Sequence, residues 1–246
     1  MMPYRFDAVG DTRSAQEMDY LAKINEKIVS SPFSPLEKFA NFTLYTPRQN
    51  LASFLAKYEI FKRILNVHGS IVECGVGFGG GLMTWAQLSA ILEPTNHTRR
   101  IIGFDSFAGF PSVSEHDTAH VGGLAIDSQA EIEACAQLYD QNRSVGHIPK
   151  IEVIKGNALD TMAAYVQAHQ HLIVSLLYLD FDLYEPTLAA LEIFQPRMPK
   201  GAIIAFDELN HPDWPGETQA LVDAGFLQDL YLERCPFAST ISLAQL

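Results

Sequence analysis

Residues 70–81 read Ser-Ile-Val-Glu-Cys-Gly-Val-Gly-Phe-Gly-Gly-Gly, which joins a short apolar run to a glycine-rich turn. The run at residues 70–74 predicts a buried strand, and a helical stretch at 80–92 follows the glycines directly. Five glycines in seven positions, 75–81, allow a tight turn and let a ligand approach the backbone. The segment therefore predicts the strand–turn–helix unit of a nucleotide-binding sheet, with a ligand-free tight turn as the alternative.

Apolar runs and helical stretches alternate along the rest of the chain, and this pattern predicts a doubly wound, mostly parallel α/β sheet. Two strand-like runs near the C-terminus predict an antiparallel hairpin at one edge, which makes seven strands in all. In the helix at 48–66, Leu51, Phe54, Leu55, Tyr58 and Leu65 recur at helical spacing and are expected to pack on the sheet. The other predicted strands are 100–105, 151–154, 172–180, 202–206, 227–232 and 239–243, and the other predicted helices are 128–139 and 186–194.

The 246 residues suit one domain. Residues 1–47, which are helical around 15–29, form an N-terminal extension to a core at 48–246, and residues 112–150 form an insertion in that core. Insertions of this length are typical of lids and binding loops, with a variable surface loop as the alternative. We expect the extension and the insertion to close over a second substrate. The amphipathic N-terminal region also makes a homodimer plausible.

The composition excludes several classes of protein. A net charge of −12 opposes binding to nucleic acid, so a small-molecule substrate is expected. No apolar run approaches the roughly 20 residues that a membrane span needs, and the polar start does not resemble a secretory signal. Cys74, Cys135 and Cys235 form no CxxC pair, which disfavours a disulfide framework or a structural zinc site and favours the cytoplasm.

Two acidic residues lie at the ends of the first two predicted strands. Glu73 lies two residues before the first glycine, where it would repel a pyrophosphate but attract the cationic amino-acid end of S-adenosylmethionine. Asp105 ends the second strand, where a carboxylate accepts hydrogen bonds from both hydroxyls of a ribose. The alternative for Asp105 is a helix N-cap.

Further carboxylates follow the fourth and fifth strands. Asp180 and Asp182 are two residues apart and would point to the same side of an extended chain, although Asp182 is equally suited to cap the next helix. Asp207 and Glu208 should lie beside Asp180 if the two strands are neighbours. Converging carboxylates repel each other, so they favour a divalent ion, with Mg²⁺ the default for oxygen ligands. An ion pair with a basic residue of the extension is the alternative.

Four motifs together resemble the macrocin-type (TylF/MycF/NovP) sugar O-methyltransferases. They are the glycine turn, GFDSFAGFP at 103–111, LYLDFDLYEPT at 177–187 and the acidic pair after the fifth strand. The resemblance covers roughly residues 48–225, and it departs from the family where Asp207-Glu208 replaces the usual Asp-Asp and in HPDWPGET at 211–218. It implies a class I methyltransferase with a Rossmann-like sheet that uses S-adenosylmethionine and Mg²⁺ to methylate a sugar hydroxyl.

The resemblance also implies roles for individual residues. Asp180, Asp207 and Glu208 would hold the metal, and Asp180 would also be the general base. The residues expected to bind the donor are Glu73, Gly75, Gly77, Gly79, Asp105, Ser106, Phe107, Asn157, Ala158 and Asp180.

Two other functions stay open at the level of sequence. The glycines and Asp105 also suit a nicotinamide-dependent oxidoreductase, although Glu73 and the carboxylate cluster have no role in hydride transfer. A non-enzymatic ligand-binding protein with the same fold is the third possibility.

Overall fold

A computed structural model of the protein describes residues 13–246. The chain divides into an N-terminal unit that ends at Leu55 and a larger unit, Ala56–Leu246. The boundary lies inside a helix, later than the predicted boundary at residue 47. The helices are α1 Ala15–Ser30, α2 Pro35–Ala40, α3 Arg48–Ile64, α4 Gly80–Leu92, α5 Gln129–Gln141, α6 Ala158–Ala168, α7 Tyr184–Phe194 and α8 Gly216–Asp223. The strands are β1 Ser70–Cys74, β2 Ile101–Asp105, β3 Ile151–Lys155, β4 Val174–Leu179, β5 Ile203–Phe206, β6 Glu233–Arg234 and β7 Ser242–Gln245.

The N-terminal unit is helical because its sequence carries strong helix-start signals. Ser14 caps α1 and forms a capping box with Glu17, and Ser34 and Glu37 repeat this arrangement at α2. Residues 1–12, which belong to the predicted extension, lie outside the described residues.

The seven strands form one sheet in the order β3-β2-β1-β4-β5-β7-β6. Pairs among β1 to β5 are parallel, whereas β7 runs antiparallel to both β5 and β6. This arrangement confirms the predicted doubly wound sheet with an antiparallel C-terminal edge. Because β1 lies between β2 and β4, the loops that follow β1, β2, β4 and β5 meet at one edge of the sheet.

The core has two layers, one on each face of the sheet. Successive strand residues divide between the layers as a period of two requires: Ile71 belongs to the layer that contains Trp85 of α4, and Val72 to the layer that contains Leu191 of α7. β1, β4 and β5 are buried along their whole length. The sheet is therefore covered by helices on both sides, and its carboxyl edge carries the polar groups.

The predicted apolar face of the helix at 48–66 is only partly right, because Tyr58 and Leu65 pack against the core but Phe54 and Leu55 do not. Phe54 and Leu55 are exposed by 40% and 48%. The buried residues of α3 are Ala56, Lys57, Ile60, Phe61 and Ile64. The face that packs on the sheet is thus rotated relative to the predicted one, and it contains a lysine.

The predicted strand at 227–232 is wrong. Leu227–Asp229 form a 3₁₀ turn, and the edge strand is only the two residues of β6. Leu227, Leu230 and Leu232 pack against the core layer that contains α7, so burial of these leucines decides the local conformation. None of the helices within residues 13–246 is long and apolar enough to cross a membrane.

Candidate active site

The glycine turn follows β1 and brings the loop after β4 into contact with it. Gly75 has a φ of 92°, and a Cβ built on it would lie 1.8 Å from the main-chain oxygen of Asp180. Gly79, with a φ of 84°, stands at the N-cap of α4. Glycine is required at 75 for two independent reasons, the left-handed backbone and the close approach of the β4 loop.

Asp105 joins the turns after β1 and β2. One carboxylate oxygen accepts hydrogen bonds from the amides of Val76 and Gly77, each at 2.8 Å, and the other accepts one from the amide of Phe107 at 2.7 Å. It is therefore not a helix N-cap. A carboxylate has about four acceptor sites, so Asp105 retains roughly one for a ligand hydroxyl.

Glu73 is buried behind the glycine turn, and its Oε2 atom has no hydrogen-bond partner. Its Oε1 atom lies 1.9 Å from the position of a Cβ on Gly81, so the carboxylate is pressed against the first turn of α4. Burial is the main cause that raises the pKa of Glu73 to about 8, and repulsion from Asp207 and Asp105 adds to it. Lys57 opposes this shift.

The remaining residues predicted to bind the donor are involved in local structure. Ser106 donates to the main-chain oxygen of Gly109 at 2.6 Å, and Phe107, with a φ of 55°, is buried in the core layer of α4. Asn157 caps α6 by accepting from the amide of Leu159 at 3.1 Å, and Ala158 is the first residue of that helix. Their proposed contact with the donor rests on position, since these residues follow β2 and β3.

Asp180 and Asp182 follow β4, but not in the extended chain that the sequence predicted. Asp182 has a φ of 63°, which turns the backbone sharply between the two residues. Asp182 does not cap α7 either, because the amide of Tyr184 donates to Asp117 at 2.8 Å. The two carboxylates still repel each other, and burial together with repulsion raises both pKa values.

Asp207 and Glu208 follow β5, which pairs directly with β4 as predicted. The hydroxyl of Tyr178 donates to Asp207. Burial, with repulsion from Asp207, raises the pKa of Glu208 to about 7. Within residues 13–246 no ion pair joins either residue to a lysine or arginine.

Glu217, on α8, is a further member of this group that the sequence analysis missed. It is fully buried, its Oε2 accepts from the amide of Glu208 at 3.3 Å, and its Oε1 has no partner. The missed signal was an acidic residue on the side of α8 that also carries Ala220 and Leu221, both buried.

This set of carboxylates fits a divalent cation in chemistry but not in arrangement. The donors are all oxygen atoms, and Glu208 and Glu217 each keep a buried oxygen without a partner. Among the described residues, however, no three His, Cys, Asp or Glu side chains are placed to hold a metal. Asp180, Asp207 and Glu208 are near enough to interact electrostatically, and binding an ion would require their side chains to turn toward it.

Part of the insertion folds over this edge of the sheet. Asp117 accepts from the amide of Tyr184 at the start of α7, and the hydroxyl of Thr118 donates to the main-chain oxygen of Asp213. The rings of Phe110 and Trp214 pack with their centroids 6.4 Å apart. Residues 110–118 are thus bound to the loops that follow β4 and β5.

The ends of β1 and β2 keep acceptor atoms that the described residues do not fill. Oε2 of Glu73 is buried without a partner, and Asp105 has room for one further hydrogen bond. The seven-stranded Rossmann-like sheet, with β7 antiparallel beside β5, is the fold of class I methyltransferases.

The particular family follows from comparison with known proteins. Residues 50–221 match the macrocin O-methyltransferase (TylF) family, and the chain belongs to that family. A methyltransferase of Streptomyces olivaceus, 8-demethyl-8-(2,3-dimethoxy-α-L-rhamnosyl)-tetracenomycin-C 4′-O-methyltransferase, is 30% identical in an alignment of length 155 that covers 58% of this chain. The match spans about half of that relative, 53% of its length.

Solved structures agree with this assignment. The crystal structure of CalS11, a calicheamicin methyltransferase, has 30% identity and a TM-score of 0.92, with 98% of each chain covered. An apo structure of CalS11, described as a TDP-rhamnose 3′-O-methyltransferase, has a TM-score of 0.84 at 30% identity over 95% of each chain. The O-methyltransferase NovP, at 20% identity and a TM-score of 0.61 over 79% of each chain, shares the fold.

Proposed function

We propose that this protein transfers a methyl group from S-adenosylmethionine to a hydroxyl of a sugar or sugar-like metabolite. The contact between the glycine turn and the main chain of Asp180 carries the proposal, because it fixes the donor-side turn next to a residue whose carboxylate is suited to receive a proton. Family membership supports the donor. The names of two relatives, both of which refer to rhamnose, support the acceptor.

Different residues of the chain bind the donor and accept the proton of the acceptor hydroxyl in this proposal. S-adenosylmethionine supplies an activated methyl group, so the protein must align the acceptor and remove its hydroxyl proton. Glu73 and Asp105 would bind the amino-acid end and the ribose. Burial raises the pKa of Asp180 well above its ordinary value, so its carboxylate, once ionised, is a stronger base for that proton.

We also propose that Mg²⁺ assists the reaction, held by Asp180, Asp207 and Glu208. Mutual repulsion and unpartnered buried oxygen support this site. A metal ion there would lower the pKa of a bound hydroxyl.

The test is methyl transfer from isotopically labelled S-adenosylmethionine to two acceptors, TDP-rhamnose and a rhamnosylated polyketide. Label in the sugar of either product, located by mass spectrometry, supports the proposal. Calorimetric binding of NAD but not of S-adenosylmethionine would instead support the oxidoreductase. Donor binding without transfer to any of a broad panel of sugar hydroxyls would reject the acceptor class.

A further inference from the structure

Lys57 is a buried charge for which packing alone gives no reason. It lies on α3 between the apolar residues that face the sheet and is only 6% exposed. Its Nζ atom lies 3.8 Å from the ring centroid of Tyr178 and 5.5 Å from that of Trp85. Lysine is almost never buried without a compensating group, so its partners identify its role.

The carboxyl group of Glu73 lies beside the side chain of Lys57. Both side chains reach the same point on the first turn of α4: a Cβ on Gly81 would be 3.2 Å from Cε of Lys57 and 1.9 Å from Oε1 of Glu73. The charge of Lys57 favours the ionised form of Glu73, whereas Asp105 at the end of β2 and Asp207 at the end of β5 disfavour it. Cys74, the next residue of β1, is buried and its raised pKa keeps it neutral.

Lys57 places its positive charge near Glu73 without donating a hydrogen bond to Oε2 of that residue. Oε2 of Glu73 is buried and has no hydrogen-bond partner, although Cε of Lys57 reaches the same turn of α4. A buried carboxylate oxygen without a donor is costly unless the group is neutral or a ligand completes it. The arrangement therefore leaves an acceptor at the amino-acid end of the proposed donor site.

We propose that Lys57 is a positioning residue whose charge allows Glu73 to ionise when the ammonium group of S-adenosylmethionine binds. The inference rests on the proposed function. Since burial and repulsion raise the pKa of Glu73 to about 8, the donor-free protein holds a proton on Glu73 at pH 7. Donor binding then releases that proton, and Lys57 lowers the free-energy cost of the release.

A double-mutant cycle tests the coupling between the two residues. Donor affinity is measured at pH 7 by calorimetry for the parent protein, Lys57→Met, Glu73→Gln and the double variant. Methionine keeps the length of the side chain and removes the charge. We expect Lys57→Met to weaken binding about tenfold, which corresponds to one pKa unit, and to have no effect when Glu73→Gln is present. Lys57→Arg should restore most of the affinity.

Proton release distinguishes this role from simple packing. In buffers of different ionisation enthalpy, the parent protein should release close to one proton on binding, and Glu73→Gln should release almost none. In donor-free protein, the ¹³C titration of the Glu73 carboxyl should move to higher pH in Lys57→Met. Lys62→Met is the matched control, because Lys62 is exposed on the same helix and pairs with Glu59 at 2.8 Å.

The outcomes separate the two proposals. Equal weakening by Lys57→Met with and without Glu73→Gln, tighter binding by Lys57→Met, or an unchanged Glu73 titration would each overturn the role of Lys57. Failure of the parent protein to bind S-adenosylmethionine would reject the proposed function itself. The NMR titration would still report the coupling of Lys57 to Glu73.

Discussion

The main-chain oxygen of Asp180 occupies the space where a side chain on Gly75 would begin, 1.8 Å from an ideal Cβ. The amide of Asp180 also donates to the main-chain oxygen of Cys74 at 2.8 Å, which extends the β1–β4 pairing into both loops. The proposed donor turn and the proposed base therefore form one rigid unit, and a change on one side should disturb the other.

Gly75→Ala should reduce both stability and donor binding. The new methyl group must displace the Asp180 backbone, and alanine must adopt a φ of 92°. We expect a loss of at least about 2 kcal/mol in the free energy of unfolding, measured with urea. Gly80→Ala is the control, because a Cβ there meets nothing within 4 Å. Similar stability in the two variants would contradict the described contact.

Asp105→Ala should affect folding and donor binding separately. It leaves the amides of Val76, Gly77 and Phe107 without their acceptor, which should cost about 1–3 kcal/mol of unfolding free energy. If Asp105 also binds the ribose, affinity for S-adenosylmethionine should fall by about 1.5–3 kcal/mol, as measured by calorimetry. Reduced stability with unchanged affinity would show that Asp105 only joins the two loops.

The sheet and its glycine turn could be predicted because their signals are local. Strands at 70–74 and 202–206 are apolar runs bounded by polar or glycine residues, and their parallel order follows from the helices between them. The position of Asp180 beside Asp207 then follows from pairing of the two strands. Residues at the ends of adjacent strands are thus predictable as a group.

The remaining features depend on contacts between distant segments. The buried face of α3 was partly mispredicted because a lysine at position 57 breaks an apolar stripe formed by Ala56, Ile60, Phe61 and Ile64. The Tyr178 ring, 3.8 Å from Nζ of Lys57, and the neighbouring Glu73 carboxyl make that position acceptable. The positive φ of Asp182 and the capping of α7 by Asp117, 67 residues away, have no signal in the local sequence.

Lys150→Met should stabilise the protein at neutral pH. Lys150 is 4% exposed, and burial lowers its pKa from 10.5 to about 8. Between these values the unfolded chain binds more protons than the native protein, so native stability rises with pH. The free-energy cost of burying the charged Lys150 is complete below pH 8 and disappears as the pH approaches 10.5.

Urea unfolding at two pH values measures this effect. We expect Lys150→Met to be more stable than the parent by about 1–2 kcal/mol at pH 7, because the lost hydrogen bond to Asn96 offsets part of the gain. Near pH 10.5 the gain should vanish. Lys155→Met, with a side chain 47% exposed, should show little dependence on pH. A gain for Lys150→Met that is the same at both pH values would argue against the lowered pKa.

Asp180→Asn should lower kcat by about 10²–10⁴-fold, since it removes the proposed base without changing the volume of the side chain. Asp160→Asn, an exposed substitution on α6, is the control. If Mg²⁺ also takes part, EDTA should abolish transfer and added Mg²⁺ should restore it. Full activity in EDTA together with loss in Asp180→Asn would reject the metal and retain the base. Full activity in EDTA and full activity of Asp180→Asn would together reject this assignment of the site.

Asp117→Ala should loosen the part of the insertion that covers the sheet edge. The Asp117 carboxylate accepts from the amide of Tyr184 at 2.8 Å, and its other oxygen accepts from the amide and hydroxyl of Ser114 at 2.8 and 2.7 Å. Gly216 permits this approach, because a Cβ there would lie 2.4 Å from the same carboxylate. One aspartate thus bonds the insertion to the start of α7 and lies against the start of α8.

If residues 112–150 help to enclose the acceptor, Asp117→Ala should raise the acceptor KM and leave donor affinity nearly unchanged. Limited proteolysis should also cut the variant faster within this segment. Glu115→Ala, which changes an exposed carboxylate in the same loop, should leave both measurements unaltered. A truncation that removes residues 1–40 tests the same role for the N-terminal extension. Faster proteolysis of Asp117→Ala with an unchanged acceptor KM would show that Asp117 orders the loop but that the loop does not contact the acceptor.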